Sequence, residues 1–270
     1  MQARVLIDNV SHNALLQEWG LAFWIEYGEK KILLDTGASG NFAENAAALG
    51  IDLSEADFGV LSHAHYDHSD GMADFFAANG KAKFYLQKSA REDCWCREGL
   101  RRRYIGIKRG TLEQYADRIA RVDGECSPCE GVWILGHTTP HLEQVGKKVG
   151  MFRRDGWRRL PEDFSHEQSL VFETETGLVV FNSCCHAGAD VIVREVRERF
   201  PDKPVRAILG GFHLYETPDD EVRAFARRLR DSGVESVWTG HCTGAHAMEI
   251  LRQELGEKAQ SLYSGLRIEF

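Results

Sequence analysis

Leu61-Ser62-His63-Ala64-His65-Tyr66-Asp67-His68-Ser69-Asp70-Gly71 decides the reading of this chain, because it sets three histidines and a carboxylate within the six residues from His63 to His68. The stretch follows directly on Phe58-Gly59-Val60-Leu61, an apolar run that reads as a buried strand. On a loop leaving a strand, His63 and His65 alternate in one direction and can hold one metal ion, while Asp67 and His68 turn towards a second. A dinuclear site is therefore expected. Imidazole and carboxylate suit zinc, iron or manganese, and such close spacing speaks against a polar turn with solvated histidines.

Upstream, Lys31-Ile32-Leu33-Leu34-Asp35-Thr36-Gly37 reads as a strand running into a turn. With this segment and its HxHxDH pattern, the chain resembles the metallo-β-lactamase superfamily. The resemblance implies that Asp35 lies buried beneath the metal site and orients a ligand, since metal-bound imidazoles need an outer acceptor for their other nitrogen.

Composition bounds the remaining choices. The 270 residues, 43% of them hydrophobic, can bury a large core, and 1–270 reads as a single α/β domain. A net charge of −8 argues against general affinity for nucleic acid, while leaving room for a local basic patch that meets an anionic small molecule. Asp8 interrupts the first apolar run, and no stretch approaches the roughly 20 apolar residues needed to cross a bilayer, so a cytoplasmic protein without membrane contact is expected. Seven cysteines, an odd number, fit free thiols in a reducing compartment. Cys94 and Cys96 form a CxC and Cys126 and Cys129 a CxxC, a pairing that holds a structural zinc if the two loops meet.

Taken in order, Val5 to Ile7, Leu21 to Tyr27 and Lys31 to Leu34 read as a β-meander. Asn41 to Leu49 reads as a helix capped by Asn41 and ended by Gly50. Met72 to Ala78 follows as a helix and Lys83 to Leu86 as a strand. The stretch 89–161 reads as an irregular, lid-like insertion. It groups Arg97, Arg101, Arg102, Arg103, Lys108 and Arg109, which would either form a solvated face or meet an anionic substrate.

Beyond it, Ser169 to Glu173 and Leu178 to Asn182 read as a strand pair, with His166 at its entry and Cys184 to His186 at its exit. His137 in Gly136-His137-Thr138-Thr139-Pro140 competes with His166 as the third ligand of the first metal, and this order of strands favours His166. His213 in Gly210-Gly211-Phe212-His213 and His241 in Gly240-His241-Cys242-Thr243-Gly244 each leave a strand. Three histidines in succession at strand exits read as one site. Helices are expected over Val191 to Phe200, Asp219 to Arg230 and Ala245 to Leu255.

Over nearly its whole length the chain resembles a branch of the same superfamily, the metal-dependent hydrolases related to the dihydropterin ribofuranosylaminobenzene phosphate synthases. DNVSHN, EWGLAFWIE, ILLDTG, LSHAHYDHSDG, CCHAG, GGFHL and GHCTG carry the resemblance, which is weakest from Ser89 to Pro161. It implies a four-layer αββα sandwich and a site of two divalent metal ions, zinc first, with manganese or iron as alternatives. His63, His65 and His166 would hold the first ion and Asp67, His68 and His241 the second, with His186 or Cys184 bridging or completing the set. Asp67 would also steer or deprotonate water. His213 would stabilise a developing oxyanion or serve as an outer ligand. The expected activity is hydrolysis of a small-molecule ester or phosphoester by metal-activated hydroxide. A synthase-type transferase and an iron-based oxidoreductase on the same scaffold are the alternatives.

Overall fold

In the strand Ala22–Tyr27, Phe23 and Ile25 point to one face and Ala22 and Trp24 to the other, yet all four are buried. A strand buried on both faces needs a covering layer on each side. The same holds for Gly177–Phe181, where Val179 and Phe181 oppose Leu178 and Val180. The computed structural model describes residues 1–270, apart from the side chain of Asp155, and shows these layers.

β1 (Gln2–Ile7), β2 (Ala22–Tyr27) and β3 (Lys30–Leu34) form the expected antiparallel meander, and β4 (Phe58–Val60) and β5 (Lys83–Gln87) extend it in parallel. β6 (Cys94–Glu98) and β7 (Arg101–Tyr104) leave this sheet as a hairpin. β8 (Ile119–Val122) returns to its edge, while β9 (Glu125–Cys129) and β10 (Val132–Gly136) begin a second sheet. β11 (Met151–Asp155) and β12 (Arg158–Pro161) form another hairpin, joined to β6 through β11. β13 (Gln168–Thr174), β14 (Gly177–Phe181), β15 (Val205–Gly210), β16 (Ser236–Thr239) and β17 (Ala259–Ser261) complete the second sheet. β18 (Arg267–Glu269) pairs with β1. The sheet orders are β18-β1-β2-β3-β4-β5-β8, β17-β16-β15-β14-β13-β10-β9 and β12-β11-β6-β7.

Three apolar layers hold the two large sheets and their helices together. Between the sheets, Phe181 packs edge-on against Phe23 and Phe172, with ring centroids 5.3 and 5.7 Å away. The helices Asn41–Ala48 and Met72–Ala78 cover the first sheet, burying Phe42 and Phe75 against Trp24, Leu33 and Phe84. The helices Ala189–Arg199, Asp219–Asp231 and Ala245–Leu255 cover the second with Val193, Phe225 and Leu251. The fold is the αββα sandwich.

Two local expectations change. Gly40, not Asn41, is the cap of the first helix, because the Asn41 amide donates instead to Glu18 at 2.8 Å. Within 89–161, β8, β9 and β10 belong to the large sheets, and only the hairpins β6–β7 and β11–β12 make a separate lid sheet. Local sequence does not reveal a sheet whose two hairpins are so far apart in the chain.

β3 and β4 run parallel, as do β14, β15 and β16, so each group delivers its carboxyl ends to one edge. β1 points the same way as β3, being antiparallel to their shared neighbour β2, and β13 begins where β14 ends. The loops carrying every candidate residue leave from these strand ends. Among the described residues no helix is long and apolar enough to cross a membrane.

Candidate metal centre

Asp35 sits fully buried just past β3 and accepts three hydrogen bonds, from Ser62 N at 2.7 Å, from Ser62 Oγ at 2.6 Å and from His68 Nδ1 at 2.9 Å. Because the Ser62 hydroxyl spends its only proton on Asp35, it accepts from His63 Nδ1 at 2.8 Å. One carboxylate thus keeps a proton on Nδ1 of both histidines, leaving each Nε2 with a lone pair.

The same logic recurs around the site. His241 Nδ1 lies 3.0 Å from Asn9 Oδ1, whose orientation is set by an N–H from Gly20 and by its own amide donating to the His241 carbonyl. His186 Nδ1 donates to Glu167. Four imidazoles thus have Nδ1 held and Nε2 turned towards one region. At His241 burial would lower the pKa, but Cys242 and Asp67 outweigh it and raise the value to about 9, so without a metal its Nε2 keeps a proton beside Asp67. Burial first, then the neighbouring imidazoles, pushes the pKa of His63 and His65 well below the ordinary histidine value, keeping both neutral.

Two donor sets result. His63, His65 and His186 bring their ligand nitrogens within 4.8 Å of one another, and among the described residues the Nε2 of each is buried without a hydrogen-bond partner. Asp67 Oδ2 lies 3.9 Å from His68 Nε2 and 3.4 Å from His241 Nε2. The two Nε2 atoms stand 3.2 Å apart. That spacing accommodates a shared proton, and it also suits a shared metal ion, since donors on one tetrahedral zinc stand roughly 3.3 Å apart. Cys184 Sγ lies 3.3 Å from His68 Nε2 and also groups with His63, His186 and His241. It faces both sets. Nitrogen, carboxylate and thiol donors in this arrangement fit divalent metal ions.

His186, expected with Cys184 to bridge or complete the set, groups with His63 and His65, while Cys184 groups with members of both sets. His166 groups with His65 and Cys94: its Nδ1 accepts the Ala64 N–H at 3.1 Å, and its Nε2 faces Cys94 at 3.7 Å and Glu162 at 3.5 Å. Both nitrogens of His137 are taken up by carboxylates, Glu167 at 2.8 Å and Glu195 at 2.9 Å. Burial alone would lower its pKa, but those two carboxylates raise it to about 9. Since Glu167 also holds His186, His137 supports the metal set from behind.

His213 stands at the wall of the site, its ring 4.8 Å from that of His186 and its Nδ1 buried without a partner among the described residues. Burial would raise the Asp67 pKa, but His68 and His241 hold the carboxyl well below the usual range, so it is ionised. Asp35, Cys185, His213 and His241 all carry φ between 46° and 59°, a conformation costly for residues with a Cβ. Strain is concentrated where the ligands must be aimed. Gly211 also has no room for a side chain, since a Cβ there would lie 2.5 Å from Cys242 Sγ.

A cavity of about 820 Å³ opens over both sets, with Trp19, Tyr66 and Tyr215 among its walls and Arg97, Arg103 and Met151 reaching in from the lid sheet. Of the basic cluster, Arg103 pairs with Glu98 at 2.6 Å and Arg109 stacks over Tyr104 at 4.7 Å. The CxC and CxxC do not join: Cys94 turns to His166 from the lid sheet, while Cys126 and Cys129 sit on β9 of the second large sheet.

Sequence reasoning passed over Asn9, Ser62, Glu167 and Cys242. Asn9 lies in the DNVSHN piece, but nothing local ties it to His241. Cys242 Sγ is 3.4 Å from Cys184 Sγ and receives the His213 N–H at 3.3 Å.

Comparison with known proteins agrees with this fold. The sequence profile of the Metallo-beta-lactamase superfamily matches residues 20–154, half of the chain. The crystal structure of Tm1679, a metal-dependent hydrolase of the beta-lactamase superfamily, superposes with a TM-score of 0.84 at 29% identity, covering 100% of this chain and 99% of that one. A 7,8-dihydropterin-6-methyl-4-(beta-D-ribofuranosyl)-aminobenzene-5'-phosphate synthase from Methanocaldococcus jannaschii is 24% identical over 98% of each chain. Zinc-bound PqqB from Methylobacterium extorquens shares the fold, with a TM-score of 0.60 at 12% identity over 100% of both chains.

Asp35→Ala should weaken metal binding by about 10- to 100-fold, read by competition with a chromogenic chelator, and unchanged affinity would contradict the role given to Asp35. The raised His137 pKa stabilises the fold fully below about pH 6.5, and this contribution disappears as pH rises through about 9. Urea denaturation at pH 7 and pH 10 should therefore show a loss of about 2–3 kcal/mol that His137→Gln lacks, and equal losses in both proteins would contradict the assignment.

Proposed function

We propose that this chain, which belongs to the metallo-β-lactamase superfamily, is a hydrolase that uses two divalent metal ions, zinc first, to cleave a small-molecule ester or phosphoester. The observation that carries the proposal is the set of aimed ring nitrogens. Four buried histidines have Nδ1 engaged by Asn9, Ser62, Glu167 and Asp35, which leaves each Nε2 for the donor sets beneath a cavity that His65, Asp67, Cys184 and His186 line.

His63, His65 and His186 would hold one ion and Asp67, His68 and His241 the other, with Cys184 between them. Such ions supply Lewis acidity, which lowers the pKa of water towards about 7 and offsets charge that builds up during bond cleavage. The chain's own groups do the rest. Ionised Asp67, beside His241, can accept a proton from water held at the floor of the cavity. His213, with Nδ1 directed into the wall of the site, can donate to an oxygen that gains negative charge. Asp35 and Glu167 keep the ligand rings from rotating or changing tautomer during turnover. Trp19, Tyr66 and Tyr215 give the substrate an apolar wall, and a space of about 820 Å³ suits a small molecule rather than a polymer groove.

Likeness to the Methanocaldococcus jannaschii synthase over 98% of both chains supports a second reading, in which the same floor would join the methyl carbon of a pterin diphosphate to an aminobenzene ribosyl phosphate, with diphosphate and a proton released. The two readings separate in one assay series. Anaerobically purified, metal-loaded protein is offered phosphomonoesters, phosphodiesters, carboxylic esters and lactones, and in parallel the pterin diphosphate with its ribosyl phosphate partner. The hydrolase reading expects chelator-sensitive cleavage in at least one class, falling by about 100-fold or more in Asp67→Ala. Coupled product without cleavage would favour the synthase, and cleavage indifferent to Asp67→Ala would contradict the proposed site.

A further inference from the structure

The lid sheet carries more cations than its carboxylates can balance. Between its hairpins lies a second pocket, of about 430 Å³, lined by Arg97, Arg101, Arg102, Lys147 and Arg159 and by no acidic side chain. Among the described side chains none of these five has a carboxylate within 4.0 Å, although the same chain elsewhere pairs Arg199 with Glu125 at 2.9 Å, Arg228 with Asp190 at 2.7 Å and Arg153 with Asp163 at 2.8 Å. Arg97 and Arg102 stand directly opposite each other across β6 and β7. Like charges so placed destabilise a strand pair unless an anion lies between them. In a protein with a net charge of −8, five cations around one pocket with no carboxylate partner among the described side chains are a local reversal of sign.

We infer that this pocket is a phosphate subsite, holding a phosphate group that the substrate carries at the end remote from the bond being hydrolysed. Its place beside the metal cavity supports this. Arg97, Gly99 and Met151 line both spaces, so one extended ligand can occupy the two at once. The donor chemistry selects phosphate over a single carboxylate. Three anionic oxygens can engage several guanidinium forks together, whereas one carboxylate satisfies only one. The Arg159 guanidinium lies 5.9 Å from the centre of the Phe152 ring, which restrains its fork, and Leu160 and Pro161 supply an apolar wall for the linking part of the substrate. The word substrate rests on the hydrolase proposal, but affinity for phosphate does not.

The test is calorimetric titration of metal-loaded protein with inorganic phosphate at low salt. One saturable site is expected, weakened at least about tenfold in the Arg102→Ala/Arg159→Ala double variant and further weakened by salt. Asp67→Ala, which disturbs the metal set, should leave that site in place. A charge-matched control, Arg227→Ala/Arg230→Ala on a distant helix, should leave it unchanged. Absence of saturable binding overturns the inference. So does binding that vanishes with Asp67→Ala and survives in the double lid variant, which would place phosphate on the metals, and so does an equal loss in the distant control, which would make it a general charge effect. Should the esterase and phosphoesterase assays fail while phosphate still binds through Arg102 and Arg159, the hydrolase proposal falls and the subsite stands.

Discussion

Asp35 is a buried carboxylate whose hydrogen bonds all run towards the histidine motif, and removing it would release two of the proposed ligands at once. Its bond to His68 is direct, and its bond to His63 passes through the Ser62 hydroxyl. Both contacts fix which ring nitrogen is bare, which is the property a metal reads. Because Asp35 also accepts Ser62 N, the loop after β4 cannot move without breaking a buried charge-assisted hydrogen bond. Glu167 plays the corresponding part for His186 on the opposite sheet, and His137 and Glu195 stand behind Glu167 as Ser62 stands between Asp35 and His63. The two sheets thus contribute symmetrical halves, each a carboxylate beneath a histidine.

This arrangement depends on strand direction. Parallel neighbours on each sheet deliver Asp35, His63 to His68, Cys184 to His186, His213 and His241 to one edge, and the strained φ values at Asp35, Cys185, His213 and His241 are the local cost of aiming them. The apolar layer between the sheets, with Phe23, Phe172 and Phe181 at its centre, keeps the two edges in register. Over that edge the lid sheet adds a wall of opposite charge to the rest of the molecule. Specificity would then come from the lid and chemistry from the strand ends.

Much of this was legible from residues alone, for identifiable reasons. His63 to His68 could be read because all four ligand types sit on one loop, and Asp35 because it ends a strand next to that loop. The strand and helix pattern from Ser169 onwards was legible because its apolar periods are long and clean. The surroundings of His166 were not, since they turn on one backbone N–H, that of Ala64, which bonds its Nδ1. Glu167 and Asn9 were hidden for the same reason: their partners are tertiary. The lid sheet escaped because β6 pairs with β11 across a long stretch of chain, and short arginine-rich strands carry no apolar alternation to announce them.

The central proposal is that Nε2 atoms aimed by Asp35, Glu167 and Asn9 mark two metal positions with Cys184 between them. Anomalous diffraction from crystals of anaerobically purified protein tests it most directly. The account predicts two peaks, one at ligand distance from Nε2 of His63, His65 and His186 and one from Asp67, His68 and His241, both beside Cys184 Sγ. A single peak, or a peak between Cys94 and His166, would contradict it.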